Sequence, residues 1–409
     1  MFVNSGSWER GVKSNLSWID DELEALGRKS LRRRLRIRTT PQSARLAIDG
    51  RELMNFGSND YLGLAADPRL AAAVGEAIQC DGWGSGASPL VTGHASLHDH
   101  LQRRLAEFEG TEAALLFSSG FAANSGTIAA LAGPGDVVYC DRKNHASLWD
   151  GCRLSRADVR SYPHNDCGQL ARLLDKSSKY RRRLIVTDSL FSMDGDLAPL
   201  GELADLADRY EAMLMVDEAH ATGVFGRNGR GVAEHLGVDR RIPVRIGTLS
   251  KALGSIGGFV AGSRSLVEWL MNRARPYVFS TAAPAAMAAA AIAALDIVRD
   301  EPQRRQALLA RSAALRTELA ARGWNVGASV SQIIPIIVGE PERAVALSQQ
   351  LHDRGFFVPA IRPPTVPDGE ACLRLSLTAG HTEEMVSSLL VALASIDRHE
   401  PVSGRQRIA

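Results

Sequence analysis

Cysteine is scarce in this chain and carries no spacing pattern. Cys80, Cys140, Cys152, Cys167 and Cys372 are an odd number among 409 residues, with no C-x-x-C pair. That excludes a disulfide framework and suits a reducing, cytoplasmic setting, as does an opening stretch, "MFVNSGSWERGVKSNLSWIDDELEAL", too polar for a signal peptide. Charge of one sign is also lacking: the formal balance is +2, so nothing in the total calls for nucleic acid or an acidic membrane surface. The basic runs "SLRRRLRIR" and "YRRRL" have no interleaved aromatics and read as solvated or anion-binding faces. One long uncharged run exists, "STAAPAAMAAAAIAAL", but it is mostly alanine, contains Pro284 and reaches Asp296 within about 17 residues, which predicts a buried helix and no membrane span.

Several catalytic signatures are absent as well. No G-K-[ST] follows a glycine-rich loop, and "GWGSGASPLVTG" fails the dinucleotide fingerprint at its third glycine. No G-x-S-x-G elbow occurs, which argues against the common serine hydrolases. His94 and His98 in "GHASLHDH" could face one metal ion at i, i+4, yet no H-E-x-x-H is present and a solvated helix start explains the run; no metal is expected.

What is present is an enzyme-sized globular composition, 45% hydrophobic and 23% charged, long enough for a sizeable core. Through the middle of the chain short apolar runs ("AALLFSS", "DVVYCD", "LIVTDSLF", "MLMVDEAH", "VRIGTLS") alternate with helical segments such as "HASLHDHLQRRLAEFEG" and "LGELADLADRYEA". This alternation predicts an α/β fold with a mostly parallel sheet covered on both faces. After the alanine-rich stretch come a long helical pattern, "LDIVRDEPQRRQALLARSAALRTELAARG", and then "SQIIPIIVG", "PERAVALSQQLHDRGF" and "ACLRLSLTAG", which read as a smaller α+β domain. The expected division is an N-terminal arm over 1–54, a large domain over 55–290 and a small domain over 291–409.

Three local features combine into one chemistry. In "MVDEAH" an apolar strand ends in acids, so Asp217 is either a helix cap or a buried carboxylate that needs a cation. In "LLFSSGFAANSG" a strand stops at a glycine turn and a helix begins, either a plain turn or a phosphate site made of unpaired N–H groups. In "GTLSKALGSIGG" the solitary Lys251 stands among small residues that let a bulky group approach. A pyridoxal phosphate enzyme needs that set: a lysine for the aldehyde, an aspartate that keeps the ring nitrogen protonated, and a helix end for the phosphate.

On these residues the chain resembles the α-oxoamine synthases, pyridoxal phosphate enzymes of the aspartate-aminotransferase fold type, from "NFGSNDYLGLA" at Asn55 to "RLSLTAGHT" at Arg374. The resemblance implies fold type I, pyridoxal 5'-phosphate as cofactor and a homodimer with shared active sites. It assigns Lys251 to the cofactor aldehyde, Asp217 to the ring nitrogen, and His220 with Ser192 to the ring's phenolic oxygen. His145 of "NHASL" would stack on the ring and touch substrate. Gly120, Phe121 and Thr248 would meet the phosphate, with Ser280 and Thr281 of "FSTAAP" reaching the neighbouring subunit's phosphate. Arg374, with Asn59 nearby, would grip an amino-acid carboxylate. Within the family, "FSMDGDLAPL" and above all "VPAIRPPTVPDG" resemble the members that condense L-alanine with a pimeloyl thioester, placing Arg362, Thr365 and Arg32 against substrate. The alternative is another member using glycine or serine with a different acyl chain. The closing "RHEPVSGRQRIA" has no counterpart in the family and is expected to be disordered.

Overall fold

The computed structural model describes residues 15–396; the closing "RHEPVSGRQRIA" and the first 14 residues lie outside them. Two short strands open the ordered chain after a helix over Trp18–Arg28: β1 (Arg45–Ile48) and β2 (Arg51–Asn55). The central sheet follows, built from β3 (Ala113–Phe117), β4 (Val137–Asp141), β5 (Asp158–Tyr162), β6 (Arg183–Asp188), β7 (Met213–Asp217), β8 (Val244–Thr248) and β9 (Gly258–Gly262). Its spatial order is β3-β9-β8-β7-β6-β4-β5. Neighbours pair in parallel except β9, which runs antiparallel between β3 and β8. The mostly parallel sheet anticipated from the alternating runs is thus present.

Side-chain alternation explains why these strands are apolar without interruption. Successive residues point to opposite faces, and both faces are covered. Val138, Cys140, Leu184, Val186, Met215, Val244 and Ile246 enter one core, beneath the helices Gly120–Leu131 and Ala146–Ser155. Their sequence neighbours Val137, Tyr139, Ile185, Leu214 and Val216 enter the other. With no solvated face, no polar period can survive in the sequence.

The remaining strands, β10 (Ile333–Gly339), β11 (Phe356–Phe357), β12 (Ala360–Ile361) and β13 (Ala371–Ser376), form two small sheets. One is β10-β13-β12, antiparallel, and the other is β1-β2-β11, in which β11 joins β2 in parallel. Residues 45–55 therefore complete a sheet with the C-terminal part of the chain. The long helical pattern is two helices, Ala285–Asp300 and Gln303–Ala321. Pro302 separates them, because it has no N–H to donate into a continuing helix and disfavours helical backbone at the residue before it. The alanine-rich part of the first is largely buried, and no helix among the described residues is long and apolar enough to cross a membrane.

Every parallel strand of the central sheet delivers its C-terminal residue to one edge. Asp188 at the end of β6 is in register with Asp217 at the end of β7, and Thr248 at the end of β8 is level with Gly258 at the start of β9. Ligands in open α/β sheets bind outside this edge.

Candidate active site

Lys251 follows β8 directly and sits in a tight turn. Leu249 N–H donates to Gly257 O at 3.0 Å, Gly254 N–H to Lys251 O at 3.0 Å and Ser255 N–H to Leu249 O at 2.9 Å. Gly254 has a φ of +62°, and a Cβ there would lie 2.5 Å from the backbone of Leu64, so no other residue fits the turn without displacing it. Burial pulls the Lys251 ammonium down to about 8, against the opposing pull of Asp217 and Asp188. A sizeable neutral fraction of this amine is therefore available near neutral pH.

Asp217 is buried, and its two oxygens are held separately: Ala219 N–H donates to Oδ1 at 2.8 Å and Asn124 Nδ2 to Oδ2 at 2.6 Å. The same Asn124 amide donates to Ser147 Oγ at 2.9 Å, and Ser147 Oγ meets His145 Nδ1 at 2.7 Å. His145 N–H donates in turn to Asp188 Oδ2 at 2.7 Å. Burial and the charge of Asp217 push Asp188 well above the usual carboxylate range. Burial, only partly opposed by Asp217, lowers the His145 imidazole, and burial with the Lys251 charge lowers His220 further still. Both histidines are thus neutral near pH 7. His220 Nδ1 lies 2.6 Å from Tyr61 Oη, and its carbonyl accepts from Gln332 Nε2 at 2.8 Å.

The phosphate candidate is a helix start with free donors. Ser119 caps the helix Gly120–Leu131 by accepting from Ala122 N–H at 3.0 Å, while the N–H groups of Gly120 and Phe121 find no protein acceptor among the described residues. A Cβ on Gly120 would meet Thr248 Oγ1 at 3.6 Å, so the threonine hydroxyl stands beside those donors. Phe121 is half exposed and presents its ring edge-to-face to His145, with centroids 6.4 Å apart.

The small domain adds a buried cation. Arg374 on β13 donates from Nε to Ser192 O at 2.6 Å and from Nη1 to Ser376 Oγ at 2.7 Å and Asn59 Oδ1 at 3.2 Å. Its Nη2 is buried with no partner among the described residues. A guanidinium with no carboxylate partner and one free donor is a ready acceptor site for a ligand carboxylate.

Beside His145 and Ser192 opens a cleft of about 960 Å³, walled on one side by Arg142, Lys143 and Trp149 and on the other by Pro363, Thr365 and Asp368. The wall loop holds the cis Pro363–Pro364 bond. Lys143 Nζ crosses the cleft, 2.6 Å from Asp194 Oδ1 and 3.0 Å from Glu370 Oε2. Arg362 Nη1 donates to Ser30 O, and Arg33 Nη2 donates to Thr365 Oγ1 at 3.4 Å. Arg33, and not the expected Arg32, is the arm residue that reaches this loop; Arg32 is exposed and makes no side-chain hydrogen bond among the described residues. Ser280 and Thr281 line a cavity of about 40 Å³ with His94, His98, Tyr277 and Ser118, the residue before the Ser119 cap.

These observations bear on the cofactor. A buried Asp217 with no cation bonded to it among the described residues, two N–H groups beside Thr248 unpaired among them, and a partly exposed lysine whose pKa burial lowers match the ring nitrogen, phosphate and aldehyde of pyridoxal phosphate. The donor set fits. A family model for class I and II aminotransferases matches residues 51–393. A curated 8-amino-7-oxononanoate synthase of Anaeromyxobacter dehalogenans is 52% identical over 97% of this chain and 99% of its own, and one of Geobacter sulfurreducens is 51% identical over 93% and 98%. The chain belongs to the 8-amino-7-oxononanoate synthase family.

Among solved structures, a serine palmitoyltransferase of S. paucimobilis with PLP bound superposes at a TM-score of 0.88, with 32% identity over 94% of this chain and 97% of that one. An 8-amino-7-oxononanoate synthase of Francisella tularensis superposes at 0.73, with 28% identity over 84% and 97%. Members of the family act in biotin biosynthesis, and the chain is a PLP-dependent acyltransferase of fold type I. Tyr61, Asn124, Ser147, Asp188 and Gln332 were not foreseen at the site. Asn124 is one of three buried polar residues, with Ser125 and Thr127, in "GFAANSGTIAAL", and nothing in that run sets it apart.

Proposed function

We propose that the enzyme condenses L-alanine with a pimeloyl thioester, releasing the thiol and CO2 and giving 8-amino-7-oxononanoate. The observation that supports it best is the free, buried Nη2 of Arg374 in the same site as a lysine whose pKa lies near 8. One group suits a carboxylate and the other takes a proton. When bound, pyridoxal phosphate supplies a ring that accepts the electrons left at the amino-acid Cα.

The chain's residues do the rest. Lys251 would hold the cofactor aldehyde, and its neutral Nζ would take the Cα proton. Asp217, held by Asn124 and Ala219, would pair with the cofactor's ring nitrogen. His145, its imidazole lowered by burial, would pack over the ring, and His220 with Ser192 would hold the phenolic oxygen. Gly120, Phe121 and Thr248 hold the phosphate. Arg374 and Asn59 hold the carboxylate until it leaves as CO2. Arg362 and Thr365 face the acyl chain across the cleft, and Arg33 takes the place first given to Arg32. In a homodimer Ser280 and Thr281 would reach the neighbouring subunit's phosphate.

The test is proton exchange. The holoenzyme in D2O should exchange the Cα proton of L-alanine faster than that of glycine or L-serine, and add thiol release only when a pimeloyl thioester is present. Faster exchange and thiol release with glycine or serine would move the enzyme to another branch of the family.

A further inference from the structure

His164 lies outside the cofactor's neighbours yet is gripped on both ring nitrogens. Nδ1 is 3.1 Å from Asp141 Oδ1 and Nε2 is 2.8 Å from Asp196 Oδ2. Asp141 ends β4, and Asp196 closes the loop that begins at Phe191. That loop is otherwise tied by Phe191 N–H to Asp196 O at 3.1 Å and Gly195 N–H to Phe191 O at 2.9 Å. Asn165 reinforces the same joint, donating from its N–H to Asp141 Oδ2 at 2.8 Å and from Nδ2 to Asp196 Oδ2 at 3.2 Å and Leu197 O at 3.1 Å. The imidazole stands edge-to-face on Phe191, centroids 4.3 Å apart.

The loop so fixed carries Asp194, which meets Lys143 Nζ at 2.6 Å, and Ser192, whose carbonyl receives Arg374 Nε at 2.6 Å. That bond, together with those from Nη1 to Ser376 Oγ and Asn59 Oδ1, sets the rotation of the guanidinium and with it the direction of Nη2, which has no partner among the described residues. We infer that His164 is a positioning residue for the amino-acid carboxylate: by bridging Asp141 and Asp196 it fixes the loop whose Ser192 carbonyl aims Arg374. The inference rests on the reading of Arg374 as the carboxylate arginine. Two carboxylates that converge on one ring need a cation between them. Burial lowers the His164 pKa, but its bonds to Asp141 and Asp196 outweigh that and hold it at about 9, so the ring is charged across the working range.

The test is a double-mutant cycle on the holoenzyme, reading the Kd of L-alanine from the cofactor's absorbance together with KM for both substrates. His164→Asn should weaken L-alanine roughly tenfold, as a small misplacement of a substrate-holding group does, and leave KM for the thioester unmoved. Arg374→Lys should weaken L-alanine more. The double variant should match Arg374→Lys alone, because His164 acts through that guanidinium. His164→Gln, with melting recorded for each variant, serves if the asparagine form does not fold. If Arg374→Lys leaves L-alanine binding unchanged, the carboxylate reading fails and the inference falls with it. If Arg374→Lys weakens binding while neither His164 variant does, or the two effects multiply, the inference alone is overturned.

Discussion

The two ends of β8 hold buried charge in opposite ways. At its start Arg245 meets Glu109 at 3.4 Å, both nearly inaccessible. Burial pushes the Glu109 carboxyl up to about 8 despite the arginine, and each group has the other as its ion-pair partner. At its end, past Thr248, Lys251 has been pulled down to about 8 by the same burial, but its neighbours Asp217 and Arg374 keep bonding capacity free. Desolvation is the common cause. Whether the charge is closed upon a partner or left open toward a cleft decides which end is scaffold and which is site.

The sharpest break of that contrast is Lys251→Ala. Turnover should fall by at least about 1,000-fold, the scale of a lost proton-transfer group, and the absorbance of lysine-bound cofactor should vanish while the melting temperature stays close to that of the parent. At the other end Glu109→Gln should do the reverse. Measured by denaturant unfolding above pH 8, where the Glu109 carboxyl is ionised, it strands Arg245 and should cost about 3–5 kcal/mol of stability, with kcat within about twofold wherever the protein remains folded. Replacing both as Glu109→Gln with Arg245→Met should recover most of that loss.

Asp217→Asn keeps the shape of the site and removes its fixed negative charge. We expect about a 100-fold fall in kcat and weaker retention of the cofactor on dialysis. A milder effect follows from the lysine's pKa. Apoenzyme should load pyridoxal phosphate faster as pH rises through about 8, because only the neutral amine attacks the aldehyde; a rate flat from pH 6.5 to 9 would remove the reason given for the burial of Lys251.

The smallest effect concerns His164. Its folded pKa, about 9, exceeds the ordinary value of 6.5. Its stabilisation is therefore fully present below pH 6.5 and lost as pH rises through about 9, and it amounts to about 1–3 kcal/mol. His164→Asn should flatten the stability of the protein over that interval and leave it unchanged above.

Much of the site could be read locally. Lys251, Asp217 and the glycine turn at Gly120 each sit where a strand ends, so their chemistry shows within a few residues of an apolar run. What could not be read is whatever depends on long closure. Tyr61 reaches His220 across 159 positions, Asn124 reaches Asp217 across 93 and His164 reaches Asp196 across 32. None of these stands in a pattern of its own. The arm shows the same limit: a run of three arginines has no spacing that tells them apart, and only packing shows that Arg33 Nη2 meets Thr365 Oγ1 at 3.4 Å. The fold was more legible, because strands buried on both faces leave long apolar runs. Pro302 shows that a single residue can divide a continuous helical period.

The measurement that tests the account most directly is a product balance with the holoenzyme, L-alanine and pimeloyl-CoA. One CO2 and one free thiol per 8-amino-7-oxononanoate formed, with no pyruvate, is the predicted result. Pyruvate formed in step with an aminated acceptor, or thiol release that requires serine or glycine in place of alanine, would contradict it.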